Sequence, residues 1–248
     1  MQDLAQTGIL VKRTLLLAAA AVLMAATPAV AGPVVVELYT SQGCNTCPPA
    51  DRFLGELKQR EDVLALSIHV NYWDYLGWTD PFATQAGTDR QRDYARPLRQ
   101  RYVYTPQMVI DGQAHVAGHK RADVEGLIAS AKARHGVDLA LRFAENEAGE
   151  MTVSIPASDF RGEAEVMMAL YDDAHTTPVQ HGENAGRTLT YSNVVRELAP
   201  IGTYRGDAIE LKLPMSADSD AERDGCAVLV QEAGLGPILG AATISLRQ

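Results

Sequence analysis

The stretch SQGCNTCPPAD, residues Ser41–Asp51, places two cysteines three positions apart and follows them with two prolines. Directly before it, the apolar run PVVVELYT, residues 33–40, predicts a strand that is buried on both faces. After it, apolar residues recur at helical spacing: Ala50, Phe53, Leu54 and Leu57. They predict a helix from about 48 to 60, with both prolines in its first turn, where a missing N–H does no harm. The cysteines therefore lie where a strand ends and a helix begins.

The next residues extend this alternation of strands and helices. DVLALSIHV, residues 62–70, predicts a second buried strand, and a helix of this length between two strands fits a parallel, right-handed crossover. Residues 71–102 are polar and aromatic, and they predict an irregular insertion followed by a helix that is interrupted near Pro97. Three further elements are predicted before residue 135: a strand at 107–110, a hairpin partner at 114–117 and a helix at 121–134.

The pattern of apolar and polar residues changes beyond His135. Short runs, several of them alternating, are separated by Gly, Pro, Asp and Asn clusters, as is typical of antiparallel sandwiches. The prediction is an α/β domain over residues 32–135, with a mixed central sheet flanked by helices, followed by a smaller all-β, sandwich-like domain over residues 136–248. Within the second part, HGENAGRTL, residues 181–189, is a candidate polar binding loop, although glycine-rich turns look the same.

The N-terminal residues 1–31 predict a secretory signal peptide. Lys12 and Arg13 precede the apolar run TLLLAAAAVLMAA, and the small residues AVA favour cleavage after Ala31. This run is shorter than the ~20 residues that a bilayer span needs, and no later segment comes close. We therefore expect a periplasmic or secreted mature chain with no membrane span, the alternative being a retained anchor.

Charge and cysteine count limit the partners. The net charge is −9, and removing one acidic and two basic residues with the leader makes it −10, which disfavours nucleic acid and anionic lipid. The chain has 3 cysteines, an odd number for an exported protein, so at least one is free or pairs conditionally. Cys226 lies in the strand pattern GCAVLVQ and is interpreted as a small buried apolar residue, with thiol exchange as the alternative.

The two cysteines of the opening stretch can form a working dithiol. Partial positive charge at a helix N-terminus favours a thiolate. Cys44 is expected at the exposed helix edge as the attacking thiol, and Cys47, inside the first turn, as the resolving thiol. A structural disulfide or two ordinary buried thiols is the alternative. Trp73 and Trp78 lie in the predicted insertion at 71–102. If the insertion folds over the cysteines as a lid, the two tryptophans would flank them; otherwise they are ordinary core residues.

The order of elements over about residues 33–134 resembles the thioredoxin-like superfamily. The resemblance implies that Pro106, which opens the predicted hairpin, is a cis-proline lying against the dithiol, and that Thr105 is the residue beside the sulfurs. It also implies a buried acid that relays the proton of the resolving cysteine, for which Glu37 is the candidate. Glu37 stands one residue further from Cys44 than the usual pattern has it.

Three longer motifs resemble a secreted family classed only as domain of unknown function 1223: ELYTSQGCNTCPPAD, YVYTPQMVIDG and GENAGRTLTYSNVVREL. In that family a thioredoxin-like module is followed by a β-rich module. The resemblance therefore predicts the arrangement of the two modules but says little about the reaction. Gly43 is a departure from the thioredoxin pattern, since a tryptophan is common at that position.

The function expected is an exported thiol–disulfide oxidoreductase that acts through the CNTC dithiol on protein or small thiols. It would need a redox partner and no organic cofactor. A non-catalytic binding or structural module with a staple disulfide is one alternative. A copper chaperone that uses Cys44, Cys47 and His69 is another, although copper chaperones of this fold usually space their cysteines one residue wider. No second CxxC or close histidine pair completes a four-ligand zinc site.

Overall fold

The computed structural model describes residues 32–134, 139–146, 150–214 and 223–247, so the predicted signal peptide and its cleavage site lie outside the described residues. The helices are α1 (Pro48–Leu57), α2 (Gln85–Tyr94) and α3 (Arg121–Arg134). The strands of the first part are β1 (Val34–Thr40), β2 (Val63–His69), β3 (Gln107–Ile110) and β4 (Ala114–Ala117). Those of the second part are β5 (Arg142–Glu145), β6 (Met151–Ile155), β7 (Ala164–Pro178), β8 (Thr188–Tyr204), β9 (Ile209–Lys212), β10 (Gly225–Glu232) and β11 (Ile238–Ser245).

Strand β1 is the centre of the first part. All 7 of its residues are buried, as its β-branched run predicts for a strand covered on both faces. It pairs in parallel with β2 and antiparallel with β3, and β4 continues the sheet beyond β3. The predicted crossover and hairpin are thus confirmed.

Helix α1 covers one face of β1. It begins at Pro48 with Cys47 as its N-cap, and the two prolines occupy the first two positions, as predicted. Its buried side chains Phe53, Leu54 and Leu57 pack in one cluster with Val36 of β1. Each fully buried side chain of this size contributes roughly 1.5–3 kcal/mol, so packing fixes where the helix starts relative to the strand.

Helix α2 covers the other face. It follows a short 3₁₀ turn at Asp74–Leu76 and ends at Tyr94, three residues before Pro97, since the residue before a proline is disfavoured in a helix. Tyr94 is fully buried against Tyr39 of β1, with ring centroids 6.3 Å apart. Segment 71–102 therefore begins as irregular chain and continues as a helix, as predicted.

The second part joins the sheet of the first. Strands β7 and β8 form a long antiparallel hairpin, and β8 meets β2 in parallel at Ser67 and Val194. The result is an 8-stranded sheet in the order β11-β10-β7-β8-β2-β1-β3-β4, beside a 3-stranded sheet in the order β5-β6-β9. Because β2 would otherwise be an exposed edge with unpaired backbone groups, this contact also closes the sheet of the first part.

The chain is thus a mixed α/β protein with a large mixed sheet and few helices. After α3, every regular element in the described residues is a strand. One hydrophobic cluster draws all its residues from 139–246 and includes side chains of both sheets. A second cluster lies wholly within 34–131, but a third joins both parts, with Val35 and Tyr94 beside Ala169 and Leu229. The large sheet and this third cluster both cross the boundary predicted near residue 135, and the division into domains stays a prediction. None of the helices in the described ranges is long and apolar enough to cross a membrane.

Candidate functional site

The two cysteines of the opening stretch form a disulfide. Cys44 and Cys47 are bonded, with their Cα atoms 5.4 Å apart, between the end of β1 and the start of α1. Cys47 is the N-cap residue, and its carbonyl accepts the backbone N–H of Asp51 at 3.1 Å. Cys44 precedes the helix, and its own carbonyl accepts the N–H of Cys47 at 3.3 Å. The strand-to-helix position predicted for the pair is confirmed.

The expected exposure of Cys44 is wrong. Both Cys44 and Cys47 are 0% exposed. A sulfur without solvent contact cannot meet a thiol of another molecule, so the conformation described here is closed to exchange. Cys44 Sγ lies 3.5 Å from Thr46 Oγ1 in its own loop. Two segments that are distant in sequence, residues 71–80 and 181–189, contact the rest of this loop and are called the cover below.

The insertion supplies one side of the cover. Trp73 donates its indole N–H to Thr105 Oγ1 at 2.8 Å, and Trp78 donates to Gln42 Oε1 at 2.8 Å. A Cβ placed on Gly43 would lie 3.0 Å from Cβ of Trp73, closer than packed side chains normally tolerate. Glycine at position 43, a departure from the thioredoxin pattern, is therefore matched by a tryptophan from another segment that packs against it.

The β7–β8 hairpin supplies the other side. Asn184, fully buried, donates through Nδ2 to the carbonyl oxygens of Gln42 and Cys44, both at 2.9 Å. Asp80 accepts the backbone N–H of Gln42 at 2.8 Å. The loop before the disulfide is thus held by two side chains remote in sequence. Residues 181–189, the candidate polar binding loop, thus make polar contacts with the cysteine loop.

Thr105 and Pro106 lie beside this cover. The peptide bond between them is cis, as expected. The Pro106 carbonyl accepts the N–H of Gly118 at 3.0 Å, which ties it to the end of β4. Through the Trp73 hydrogen bond, Thr105 is linked to the segment that packs on Gly43. The structure therefore brings Thr105, Trp73 and the cysteine loop together.

Glu37 lies on the face of β1 that α2 covers. Side chains alternate along a strand, and Val35 and Tyr39 on its face belong to a different cluster from the one that contains α1. The Glu37 carboxylate accepts Arg90 Nε at 2.6 Å and the Tyr94 hydroxyl at 2.7 Å. It is a buried, fully paired group on the far side of the sheet from α1.

Asp51 is the buried acid on the cysteine side. It lies one helical turn after Cys47, a spacing that places two side chains on one helix face. Thr40 donates to its Oδ1 at 2.7 Å, whereas its Oδ2 is buried with no hydrogen-bond partner among the described residues. Burial raises the pKa of Asp51 to about 7, against the opposing effects of the Thr40 hydrogen bond and the charge of His69. The group can therefore gain or lose a proton near neutral pH.

A second buried pair adjoins Asp51. His69 Nδ1 lies 2.7 Å from Asp80 Oδ2, and both side chains are 0% exposed. Burial alone would raise the pKa of Asp80, but the charge and hydrogen bond of His69 and two backbone N–H donors lower it. The His69 ring packs 4.7 Å from that of Tyr191. His69 Nε2 and the Tyr191 hydroxyl have no hydrogen-bond partner in the described part of the chain.

The copper alternative required His69 to join the two cysteines. Within the described ranges, no group of three or more His, Cys, Asp or Glu side chains could hold a metal ion. His69 is instead paired with Asp80. Cys226 is buried on β10 in a separate hydrophobic cluster.

A family model described as "Protein of unknown function (DUF1223)" matches residues 35–231. The chain belongs to this family. The match covers β1 except Val34, both cysteines, the cover and the whole of the long β hairpin, so the site described above lies within the family's shared region. No curated protein matches the chain.

Two solved structures resemble this DUF1223 protein. One is the crystal structure of an Agrobacterium tumefaciens protein, with a TM-score of 0.75, 35% sequence identity, and coverage of 87% of this chain and 95% of that chain. The other is HBP35 of Porphyromonas gingivalis, with a TM-score of 0.58, 13% identity, and coverage of 87% of this chain and 76% of that chain. The second likeness concerns the fold alone.

Sequence reasoning about this DUF1223 chain missed Asp51 and Asn184. A pattern did point to Asp51: Cys47, Ala50 and Leu54 form the buried stripe of α1, and Asp51 is the charged residue within it. A carboxylate at the centre of an apolar stripe indicates a special environment. For Asn184 no local pattern exists, because its partners are more than 100 residues away.

Proposed function

We propose that this DUF1223 chain is an exported thiol–disulfide oxidoreductase of thioredoxin-like fold, with the Cys44–Cys47 disulfide as its redox group. The order β1, α1, β2, α2, β3, β4, α3 supports this proposal, as do the sheet order β2-β1-β3-β4 and the position of the cysteines before α1. We assign residues 32–135 to the thioredoxin-like domain and 136–248 to a β-rich domain with its own hydrophobic cluster. Residues 1–31 would direct export to the periplasm or beyond.

The observation that best supports the proposal is the buried, half-paired environment of Asp51. A carboxyl group buried beside a disulfide, with one oxygen unpartnered and a pKa of about 7, costs folding free energy. A disulfide that served only as a staple would need no such group. A redox disulfide does, because its resolving thiol must gain a proton on reduction and lose it on oxidation.

The proposed reaction balances within these groups. A thiolate of the client attacks Cys44 Sγ, so that a mixed disulfide forms while the Cys44–Cys47 bond breaks. Cys47 leaves as a thiolate and takes a proton from the Asp51 carboxyl group. The second client thiolate then attacks the client sulfur of the mixed disulfide and releases Cys44. The client dithiol is oxidised and the protein disulfide is reduced, and the reverse sequence reduces a client disulfide.

Access requires movement of the cover. The Asn184 loop and the segment that carries Trp73 and Trp78 are joined to the cysteine loop by a few hydrogen bonds, from Asn184 and from Trp78, each with a net contribution of about 0.5–1.5 kcal/mol. Breaking a few such bonds is a low-cost local opening compared with global unfolding. We therefore propose a gated oxidoreductase, in which a client protein or small thiol reacts only when the cover is displaced.

A non-catalytic binding or structural module is the second candidate, and the full burial of both sulfurs favours it. The small stabilisation that this disulfide can provide argues against a purely structural role. The stabilisation that a disulfide provides grows with the length of the closed loop, and a loop of four residues gives only about 2 kcal/mol. The prolines and buried side chains of α1 already hold this segment.

The test is exchange activity of the mature chain and of Cys44→Ser. Insulin is the disulfide substrate and dithiothreitol the electron donor. We expect the wild type to catalyse insulin reduction and the rate of Cys44→Ser to be at least a hundredfold lower. Cys226→Ala, which changes the third cysteine in another cluster, should retain activity. If the wild type equals Cys44→Ser, and its disulfide resists a glutathione buffer, the second candidate replaces the first.

A further inference from the structure

A small cavity adjoins the segment that leads into Thr105, and none of the cysteines lines it. It encloses ≈ 210 Å³, and six residues line it: Arg99, Gln100, Arg101, Tyr102, Tyr104 and His115. Typical small-molecule sites measure about 300–1,000 Å³. The space is therefore suited to one or two side chains of a larger partner and not to an organic cofactor.

The cavity carries positive charge on an acidic protein. Arg99 and Arg101 are exposed, and no carboxylate lies within salt-bridge distance of either in the part of the chain that the structure describes. The chain as a whole has a net charge of −9. Two unpaired guanidinium groups at one cavity therefore attract a carboxylate locally, and their planar donors match its geometry.

Gln100 adds an amide with no partner. Both Nε2 and Oε1 are buried, and neither has a hydrogen-bond partner among the described residues. An amide presents one donor and one acceptor side by side, which is the complement of a peptide group. Buried polar groups are normally satisfied, so an amide left unpaired at a cavity indicates a partner that is itself a polypeptide.

The walls are aromatic and fixed. Tyr102 is 73% exposed, while the Tyr104 hydroxyl is held 2.9 Å from His115 Nδ1. Arg99 adopts a left-handed backbone conformation, with φ 54°, and the Gln100 N–H donates to the Ala95 carbonyl at 2.8 Å. Tyrosine and arginine are the residues that dominate protein interfaces, because a rigid ring or fork loses little entropy on binding. The backbone around the cavity and the Tyr104 ring are thus held in place, whereas the Gln100 amide must turn outward to meet a partner.

We propose that this cavity anchors an acidic side chain of an extended polypeptide partner, with Arg99 and Arg101 binding its carboxylate and Gln100 binding an adjacent peptide group. The anchor lies on the segment that leads into Thr105, which contacts Trp73 of the cover. A bound partner would therefore lie beside the disulfide. The inference concerns binding, so it goes beyond exchange chemistry and can be tested in a variant without cysteines.

The test measures fluorescence anisotropy of labelled ten-residue peptides with the full mature chain, at one fixed ionic strength. A glutamate-rich peptide and its glutamine counterpart share a Gly/Ser/Ala framework. We expect the glutamate peptide to bind at least tenfold more tightly. Arg99→Gln/Arg101→Gln should remove that preference, and Gln100→Leu should weaken binding several-fold. Arg134→Gln/Arg142→Gln, which alters two exposed arginines elsewhere and changes the net charge equally, should stay within twofold of the wild type.

Three results would overturn the proposal. Equal affinity for the two peptides would remove the role of charge. An equal loss in the Arg134/Arg142 variant would show that only net charge matters. Displacement of the peptide by millimolar inorganic phosphate, with no effect of Gln100→Leu, would assign the cavity to simple anions instead of a polypeptide.

Discussion

Two buried carboxylates lie near the central strand, one on each side of it. Glu37, on the α2 side, accepts hydrogen bonds from Arg90 and Tyr94. Asp51, on the α1 side, accepts one from Thr40, and its second oxygen has no hydrogen-bond partner in the described ranges. The two groups are almost equally buried, at 1% and 5% exposure. What differs is the set of partners.

The difference separates a structural acid from a reactive one. Glu37 is paired with a guanidinium and a hydroxyl, so its contacts serve the packing of α2 on the strand. Asp51 is only half paired, and burial raises its pKa to about 7. The relay role predicted for Glu37 stays a prediction, but its full pairing on the far face favours Asp51. Whether a buried acid has a structural or a reactive role is thus better judged from its unpaired oxygen atoms than from its degree of burial.

The largest effect is expected from Glu37→Gln. The substitution leaves Arg90 buried without a countercharge, and breaking one partner of a buried pair costs about 3–5 kcal/mol. Urea denaturation at pH 7 would measure this loss. Exchange activity per folded molecule should remain close to the wild-type value.

Glu56→Gln is the matched control. Glu56 pairs with Arg121 on the exposed surface of α1, where solvent screens the two charges, so the loss of this pair should cost little stability. If Glu37→Gln costs no more than Glu56→Gln, the structural reading of Glu37 is wrong. A stable Glu37→Gln protein that had lost exchange activity would return the relay role to Glu37.

The elements of the first part were predictable because their signals are local. Periodicity predicted α1 and α3, and the Asp111-Gly112 turn predicted the hairpin of β3 and β4. The junction of β8 with β2 was not predictable from local patterns. It depends on Asn193, which adopts φ 46° and donates to the Ala65 carbonyl at 2.8 Å across 128 residues. Pairing of this kind is specified by geometry that no window of sequence contains.

The features of the site likewise differ in how far local sequence predicts them. The motif predicted that Cys44 and Cys47 lie together before α1, and the resemblance predicted the cis bond before Pro106; the structure has both. The position of Pro106 against the cysteines stays a prediction. The burial of Cys44 does not follow, because the residues that hold its loop come from other segments: Trp73 packs against Gly43, and Asn184 donates to the Cys44 carbonyl. Asp51 stands in the quoted stretch itself. Its significance depends on the buried face of α1, which only the packed structure defines.

Asp51→Asn should change how stability depends on pH. The folded-state pKa of about 7 lies above the ordinary value of 3.8, so the folded protein holds this proton more tightly than the unfolded chain. The wild type therefore loses stability as pH rises from about 4 to 7, whereas an asparagine side chain has no proton to lose. Relative to the wild type, the variant should gain as much as about 4 kcal/mol by pH 8 and nothing at pH 4. Urea denaturation across this pH range measures the difference.

Asp123→Asn provides the comparison for this pH series. Asp123 is exposed in the first turn of α3, so this variant removes one carboxyl group from the surface and shows what the loss of a negative charge does without any change in the core. Thr40, His69, Asp80, Arg52 and Tyr191 are the polar and charged groups that act on Asp51. A flat difference between Asp51→Asn and the wild type would mean that Asp51 is ionised throughout and cannot serve as the proton donor.

The smallest effect is expected from Asn184→Ala, which tests the cover without touching its aromatic side. The variant loses two buried hydrogen bonds to the loop that carries Cys44. If they contribute about 1.4 kcal/mol to closure together, local opening becomes about tenfold more frequent. Reduction of the disulfide by dithiothreitol, followed by thiol release, should then be about tenfold faster.

Asn193→Ala distinguishes gating from general loss of stability. Asn193 is also a buried asparagine of the β7–β8 hairpin, but its side chain donates to Ala65 on β2 and not to the cysteine loop. It should weaken the fold and leave the reduction rate within about twofold of the wild type at a pH and temperature where both proteins are folded. Equal acceleration in the two variants would mean that the disulfide is reached by global unfolding. In that case the cover is part of the core, and the oxidoreductase proposal loses its route to the sulfurs.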